Sequence, residues 1–168
     1  MVSTTQNPDA VIDEGAFSVR RTIRIAASID KVWQAVTEPE HISRWFGRTV
    51  IDGSGAGATG TVTFPDTEPF SLRVEACEEP RLIAYRWNND DAYRDANDGS
   101  VGDHADPLAE ERTTVFTFTL DEVDDGTQLT VVETGFDGTT DPAVNLASHC
   151  EGWTIELDKL VALLEDAA

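Results

Sequence analysis

The stretch SIDKVWQAVTEPEHISRWFG, residues 28–47, and a long helical segment at the other end of the chain are the two patterns from which we predict the fold. Apolar residues recur in this stretch at the helical spacing i, i+3, i+4 and i+7, and Pro39 cannot lie inside the helix that the spacing predicts. We therefore predict two short helices, the first capped by Ser28 and the second begun by Pro39. The apolar face of the second helix ends in Trp45 and Phe46.

The second segment runs from Asp141 to about Glu165 and predicts one long helix, with Pro142 in its first turn. About 25 residues at 1.5 Å each span roughly 37 Å, which is enough to cross a whole sheet. Gly152 lies in the middle of this helix. Because glycine costs a helix ~1 kcal/mol relative to alanine, we expect a packing or access reason for it. Close approach of the pair of short helices to the long helix would be such a reason. The apolar stripe of the helix is Leu146, Cys150, Trp153, Leu157, Leu160, Val161 and Leu164.

Between these two segments the pattern is strand-like. Alternating apolar residues and turn signals predict strands at residues 17–25, 48–51, 60–64, 70–77, 81–88, 113–120 and 127–134. Asp124-Asp125-Gly126 is typical of a tight hairpin. Arg21 interrupts the alternation of the first strand, so it lies near the strand end or rim, or it points into the interior towards an acid. The residues that we expect to face inward are Phe70, Leu72 and Val74, and Thr114, Phe116 and Phe118.

The length of 168 residues predicts one domain, which we place at residues 16–168. The polar residues 1–15 are expected to form a flexible N-terminal tail. Residues 89–110 form a long Asp- and Gly-rich insertion between two strands, and we predict that it is mobile and can be shortened at little cost.

The charge balance is strongly acidic, with 32 Asp and Glu against 12 Lys and Arg and a formal net charge of −20. This charge repels phosphates and anionic lipid surfaces, so we predict no nucleic-acid partner. The bias suits a high-salt cytoplasm, where ions screen the repulsion, and it equally suits a compositional bias of the genome. No apolar stretch approaches the ~18 residues of a membrane span, and no signal peptide is recognisable. We expect no membrane insertion and a cytoplasmic location.

Motifs for cofactors and catalysis are weak. A G-x-G-x-x-G match at residues 55–60 precedes a β-type run instead of a helix, so it predicts a loop and not a nucleotide site. The acidic insertion lacks the ligand spacing of an EF-hand, and no G-x-S-x-G elbow is present. His41, His104 and His149 show no metal-binding spacing. We therefore predict no cofactor, no metal and no catalytic residue.

The two cysteines, Cys77 and Cys150, are expected to be reduced thiols buried as small hydrophobic side chains.

Four short motifs, taken in their order and spacing, carry a family resemblance. They are V-W-x-x-V-T-x-P at 32–39, W-F-G at 45–47, T-G-F at 134–136 and G-W-x-x-x-L-x-x-L at 152–160. Together they resemble the family named for the activator of heat-shock protein 90 ATPase, within the START-like (SRPBCC) superfamily. The resemblance implies an α+β helix-grip fold. In this fold an antiparallel sheet of six or seven strands curves around a long C-terminal helix, and two short helices close one end. The chain departs from the family at residues 89–110 and at Ile29-Asp30, where Pro-Glu is commoner.

The same resemblance implies a cavity for lipids, polyketides or other apolar molecules. We therefore predict a small-molecule binding module whose partner is an apolar or amphipathic ligand. Among the tryptophans, we expect Trp45 and Trp153 to line the cavity and Trp33 to lie in the core. The candidate lining residues are Trp45, Phe46, Phe64, Leu72, Tyr85, Phe116, His149 and Trp153.

Two other functions remain open. One is an enzyme of the cyclase, dehydratase or hydrolase kind. The polar groups available to it are Arg21, Tyr85, Glu133 and His149. A buried His149 or Glu133 that faces the cavity and has a shifted pKa would favour this alternative. The other is a chaperone-associated stress-response domain that acts through its surface on an unidentified protein partner.

Overall fold

One antiparallel sheet of eight strands forms the body of the protein in the computed structural model, which describes residues 5–90, 108 and 112–166. The strands are β1 (Val11–Asp13), β2 (Ser18–Ile25), β3 (Arg48–Asp52), β4 (Thr59–Thr63), β5 (Phe70–Glu78), β6 (Leu82–Trp87), β7 (Thr114–Val123) and β8 (Gly126–Thr134). Their order is β1-β2-β8-β7-β6-β5-β4-β3. The seven predicted strands are confirmed, and β1 is an additional one.

Within the described residues three α-helices accompany the sheet: α1 (Ile29–Thr37), α2 (Pro39–Ile42) and α3 (Pro142–Asp166). A short 3-10 helix at Phe136–Gly138 precedes α3. Ser28 caps α1, because its hydroxyl accepts a hydrogen bond from the Lys31 amide at 3.4 Å. Pro39 begins α2 as predicted. The curved sheet, the long α3 and the short helices confirm the α+β helix-grip fold, with eight strands instead of six or seven.

The inner face of the sheet holds the core. Buried and half-buried residues alternate along β5, β7 and β8, and the predicted inward positions on β5 and β7 are all buried. The predicted hairpin joins β7 to β8. Gly126 is required there, because a Cβ at this position would collide with the carbonyl oxygen of Ile25 on the neighbouring β2.

The described residues of the N-terminal segment contact β2 and α3. Thr5 binds the Glu165 carboxylate near the end of α3 through its amide and its hydroxyl, both at 2.7 Å. The Ala10 amide donates to the hydroxyl of Thr154 at 3.0 Å, and β1 pairs with β2. The residues of β1 are all exposed, so this strand carries no alternation that a sequence pattern could reveal.

Arg21 points into the interior towards an acid, which was the second of its two predicted placements. Its guanidinium contacts Asp158 at 2.6 Å and also donates to the carbonyl oxygens of Pro8, Trp153 and Thr154. Only Arg21 is buried in this ion pair, since the side chain of Asp158 is 60% exposed. Arg21 therefore ties the N-terminal segment and the middle of α3 to β2.

Both cysteines are free thiols, but Cys77 is exposed and Cys150 is only partly buried, so their predicted burial is wrong. The glycines at 55–60 form a loop between β3 and β4, and the strand Thr59–Thr63 follows them, as predicted. The 89–110 insertion lies almost wholly outside the described residues. None of the described helices combines the length and apolar character needed to cross a membrane.

Candidate functional site

A pocket of about 220 Å³ opens between α3 and the inner face of the sheet, next to the start of the 89–110 insertion. Its walls come from the turn between α2 and β3, the β4–β5 loop, the facing ends of β5 and β6, and one side of α3. Five of its lining residues are aromatic. The full lining is Phe46, Phe64, Thr67, Phe70, Trp87, Asn89, Ser148, His149, Gly152, Trp153 and Glu156.

Phe46 is the centre of the aromatic wall. Its ring is stacked nearly parallel to Trp153, with 5.7 Å between ring centroids and 6° between planes. Phe64 meets it edge-on at 5.0 Å, and Trp87 lies 5.7 Å away. Such contacts add to the stability that burial alone provides, so the wall is held in one arrangement before a ligand enters.

Gly152 forms part of the helical wall. A Cβ built at this position meets no atom within 4 Å, apart from the backbone of its own helix. Close approach of the short helices is therefore not the reason for this glycine. The glycine instead leaves open space in the pocket.

Glu133 lies behind the pocket and is fully buried at the end of β8. Its Oε1 accepts from the indole Nε1 of Trp153 at 2.8 Å, and its Oε2 accepts from the indole Nε1 of Trp87 at 2.9 Å. The Thr114 hydroxyl donates to Oε2 at 2.5 Å. Nδ1 of His149 lies 2.9 Å from both carboxylate oxygens. Three of the residues bound to Glu133 (Trp87, His149 and Trp153) also line the pocket.

The Glu133 carboxyl is held in its ionised form. Burial alone would raise its pKa, but the attraction of His149 and hydrogen bonds from His149, Thr114 and Trp87 outweigh burial, so the pKa is lowered. An ionised carboxylate only accepts hydrogen bonds, so Nδ1 of His149 carries the proton that they share.

A lowered pKa predicts an acid-dependent loss of stability. The contribution of Glu133 is present above its unfolded-state pKa, near 4.5, and is lost as the pH falls through the folded-state pKa. We expect the free energy of unfolding of the wild type to exceed that of Glu133→Gln at pH 7, and the gap to narrow as the pH falls below 4.5. Urea unfolding of both proteins across this range measures it. A gap that stays constant on the acid side would contradict the prediction.

Half of the eight predicted lining residues surround this pocket: Phe46, Phe64, His149 and Trp153. The other four, Trp45, Leu72, Tyr85 and Phe116, lie around a void of about 10 Å³, which has room for no more than one water molecule.

Trp45 is therefore a core residue and not a wall of the pocket. Its indole donates to the Ala35 carbonyl at 2.8 Å, and the Tyr85 hydroxyl donates to the Val36 carbonyl at 2.6 Å. Both bonds tie side chains of the core to α1. Trp33 is buried as predicted.

The sequence interpretation missed several lining residues, and two signals could have found Trp87 and Glu156. Trp87 shares its face of β6 with Tyr85, which was predicted to face inward. Glu156 lies seven residues after His149 on α3, so both lie on one side of the helix. Asn89 and Thr67 lie in loops, where no periodicity reveals orientation.

A second, larger groove of about 580 Å³ lies between the short helices and the β3–β4 loop. Its rim carries the acidic residues Asp30, Glu38 and Glu79, and the Trp33 indole donates to Glu79 at 3.2 Å. The pocket beside α3 is the better candidate site, because aromatic walls converge there with a few polar groups.

Within residues 5–90, 108 and 112–166 there is no group of three or more His, Cys, Asp or Glu side chains that could hold a metal ion.

A family model and several solved structures are similar to this chain, and they share its fold. The model of the family described as Activator of Hsp90 ATPase homolog 1-like protein matches residues 26–165. The chain is similar to the crystal structure of MLL2253 from Mesorhizobium loti, with 24% identity, a TM-score of 0.70, and coverage of 90% of this chain and 98% of that one.

Two further solved structures reach slightly higher identity. CalU16 from Micromonospora echinospora is 25% identical, with a TM-score of 0.59 over 85% of this chain and 73% of that chain. DynU16, a protein in the dynemicin biosynthetic locus, is 26% identical, with a TM-score of 0.66 over 88% of this chain and 47% of that chain. No curated protein matches the sequence.

Proposed function

We propose that this chain, which belongs to the Activator of Hsp90 ATPase homolog 1-like family, binds a small, flat and mostly apolar molecule in the pocket beside α3. The observation that carries the proposal is the pocket itself: aromatic rings form its walls, a glycine leaves its helical side open, and a buried polar network holds two of the rings from behind. Such a surface provides apolar contact area together with a few fixed polar groups, which is the usual composition of a small-molecule site.

The volume of the pocket limits the size of the ligand. Sites for drug-sized molecules usually measure ~300–1,000 Å³, so a volume of about 220 Å³ fits a smaller molecule, or one end of a longer molecule. The similarity to DynU16, a protein in the dynemicin biosynthetic locus, supports a small biosynthetic molecule as the ligand.

Substitutions at Gly152 test the pocket without disturbing the core. Gly152→Ala should raise the free energy of unfolding by about 1 kcal/mol, because alanine favours the helix. Gly152→Leu should also fold, because a side chain there enters open space, but it should fill the pocket and abolish binding. Urea unfolding and titration with a neutral naphthylamine dye measure the two effects.

Ala147→Leu provides a matched control on an exposed position of the same helix, and it should leave binding unchanged. If Gly152→Leu binds the dye as tightly as the wild type, the pocket is not the binding site. Native mass spectrometry of the freshly purified protein would then identify any co-purified ligand and its chemical class.

An acid–base enzyme is a second candidate, favoured by the contact between Glu133 and His149. A carboxylate that holds the Nδ1 proton of a histidine fixes the ring orientation and stabilises the charged imidazolium, as in many general-base sites. A co-purified ligand whose mass changes on incubation with the wild type, and not with His149→Gln, would identify catalysis. Action on a chaperone through the surface stays a prediction, and failure of every small-molecule test would favour it.

A further inference from the structure

The strong hydrogen-bond donors behind the pocket are already occupied. The indole N–H groups of Trp87 and Trp153 and the Thr114 hydroxyl all donate to Glu133, and Nδ1 of His149 lies within bonding distance of the same carboxylate. A ligand with a carboxylate or carbonyl oxygen would therefore have to displace Glu133 to reach them. These four donors are therefore not available to an anionic ligand or to a ligand that mainly accepts hydrogen bonds.

The polar atoms that remain on the walls include two acceptors. Asn89 Oδ1 and Glu156 Oε2 are buried, and within the described part of the chain neither has a hydrogen-bond partner. Both residues line the pocket. The Lys159 ammonium lies 3.2 Å from Glu156 Oε2, but the lysine side chain is 56% exposed, so its charge is well screened by solvent. A ligand that donates hydrogen bonds would satisfy these two oxygens.

The aromatic walls favour positive charge as well. Five aromatic side chains line the pocket, and the N–H edges of Trp87 and Trp153 are directed at Glu133, so ring faces exposed to the pocket are where a cation can meet this wall. A cation over such faces is attracted by the ring quadrupole, and the attraction grows when water is excluded. No lysine or arginine is among the described lining residues, and any positive charge on His149 is balanced by Glu133.

We propose that the ligand of this pocket is a small aromatic amine that binds as its ammonium cation, with the ring against the aromatic wall and the ammonium group donating to Glu156 and Asn89. This inference rests on the proposed function and names the chemical class of its ligand.

Three probes of matched shape test the proposal: 2-phenylethylamine, which is a cation at pH 7, neutral 2-phenylethanol and anionic 3-phenylpropionate. We expect the amine to bind about tenfold more tightly than the alcohol, because it adds charge–ring attraction and a charged donor, and the carboxylate to bind least. Isothermal titration and quenching of tryptophan fluorescence measure the dissociation constants. If the alcohol binds as tightly as the amine, the inference is wrong while the proposed function stands. If no probe binds, both fail.

The net charge of −20 attracts any cation to the protein. A matched pair of variants distinguishes this general attraction from a specific contact between the amine and Glu156. Glu156→Gln should reduce the preference for amine over alcohol at least threefold. Glu151→Gln removes the same charge from an exposed position on the same helix and should leave the preference unchanged. An equal loss in both variants would overturn the assignment of Glu156, and the wild-type comparison of the three probes stands without either variant.

Discussion

Replacing Glu133 with alanine is expected to reduce the free energy of unfolding by about 3–5 kcal/mol, which is typical when one partner of a buried charged network is removed. The carboxylate is fully buried and is the shared acceptor of two indole N–H groups and one hydroxyl. Without it, these donors and His149 Nδ1 lose their acceptor although their side chains remain buried. Urea unfolding followed by circular dichroism measures the loss.

Two further variants make the result specific. Glu133→Gln keeps the shape and one acceptor oxygen, so it should destabilise the protein less than alanine does. Glu122→Ala, on an exposed position at the end of β7, should change stability by no more than about 0.5 kcal/mol. If Glu133→Ala is as stable as Glu122→Ala, the network does not hold the fold together. If Glu133→Gln folds and binds the probes normally, the charge of Glu133 is not needed to hold the walls of the pocket in place.

Replacing Trp45 with alanine should cost about 3–5 kcal/mol, since a buried aromatic side chain leaves a large cavity behind. The residue is 2% exposed, packs against Phe46 and Phe118, and bonds to the Ala35 carbonyl. It lies outside the candidate pocket. The predicted effect is therefore on stability and not on ligand contacts, and equilibrium urea unfolding measures it.

Leucine substitutions at Trp45 and Trp153 distinguish a tryptophan that only stabilises the core from one that contacts the ligand. Trp45→Leu retains apolar bulk and should bind the probes as the wild type does once the protein is folded. Trp153→Leu removes the ring stacked on Phe46 and should weaken binding at least tenfold. Trp33→Ala, beside the open groove, should destabilise less than Trp45→Ala. Equal probe binding by the two leucine variants would contradict the assignment.

Local patterns predicted most of the secondary structure because each element carries its own periodic signal. The seven strands other than β1 alternate along their length, and α1, α2 and α3 begin close to the predicted residues. Serine and proline at helix starts act through the backbone of the same turn, so neighbouring residues suffice to recognise them. The family motifs then restricted these elements to one topology, which the eight-stranded sheet confirms with one strand added.

Polar side chains at inward-facing strand positions were partly predictable, because the alternation of the strand also reveals them. Arg21 shares the inward face of β2, and the sequence predicted either a rim position or an acidic partner in the interior. Glu133 shares the inward face of β8 and was named as a candidate polar group. Neither pattern could identify the partners, because Asp158 and the two indoles come from elements far away in the chain.

The position of the pocket depended on the tertiary structure alone. Period-two alternation identifies which side chains face inward, but it carries no information about where along the sheet α3 leaves space. Trp45 and Trp153 have the same apolar signature in sequence, yet one is packed under α1 and the other faces open volume beside Gly152. Packing between distant elements decides whether an inward residue fills the core or lines a site, because that depends on the volume left between elements and not on the residue's own neighbours in sequence.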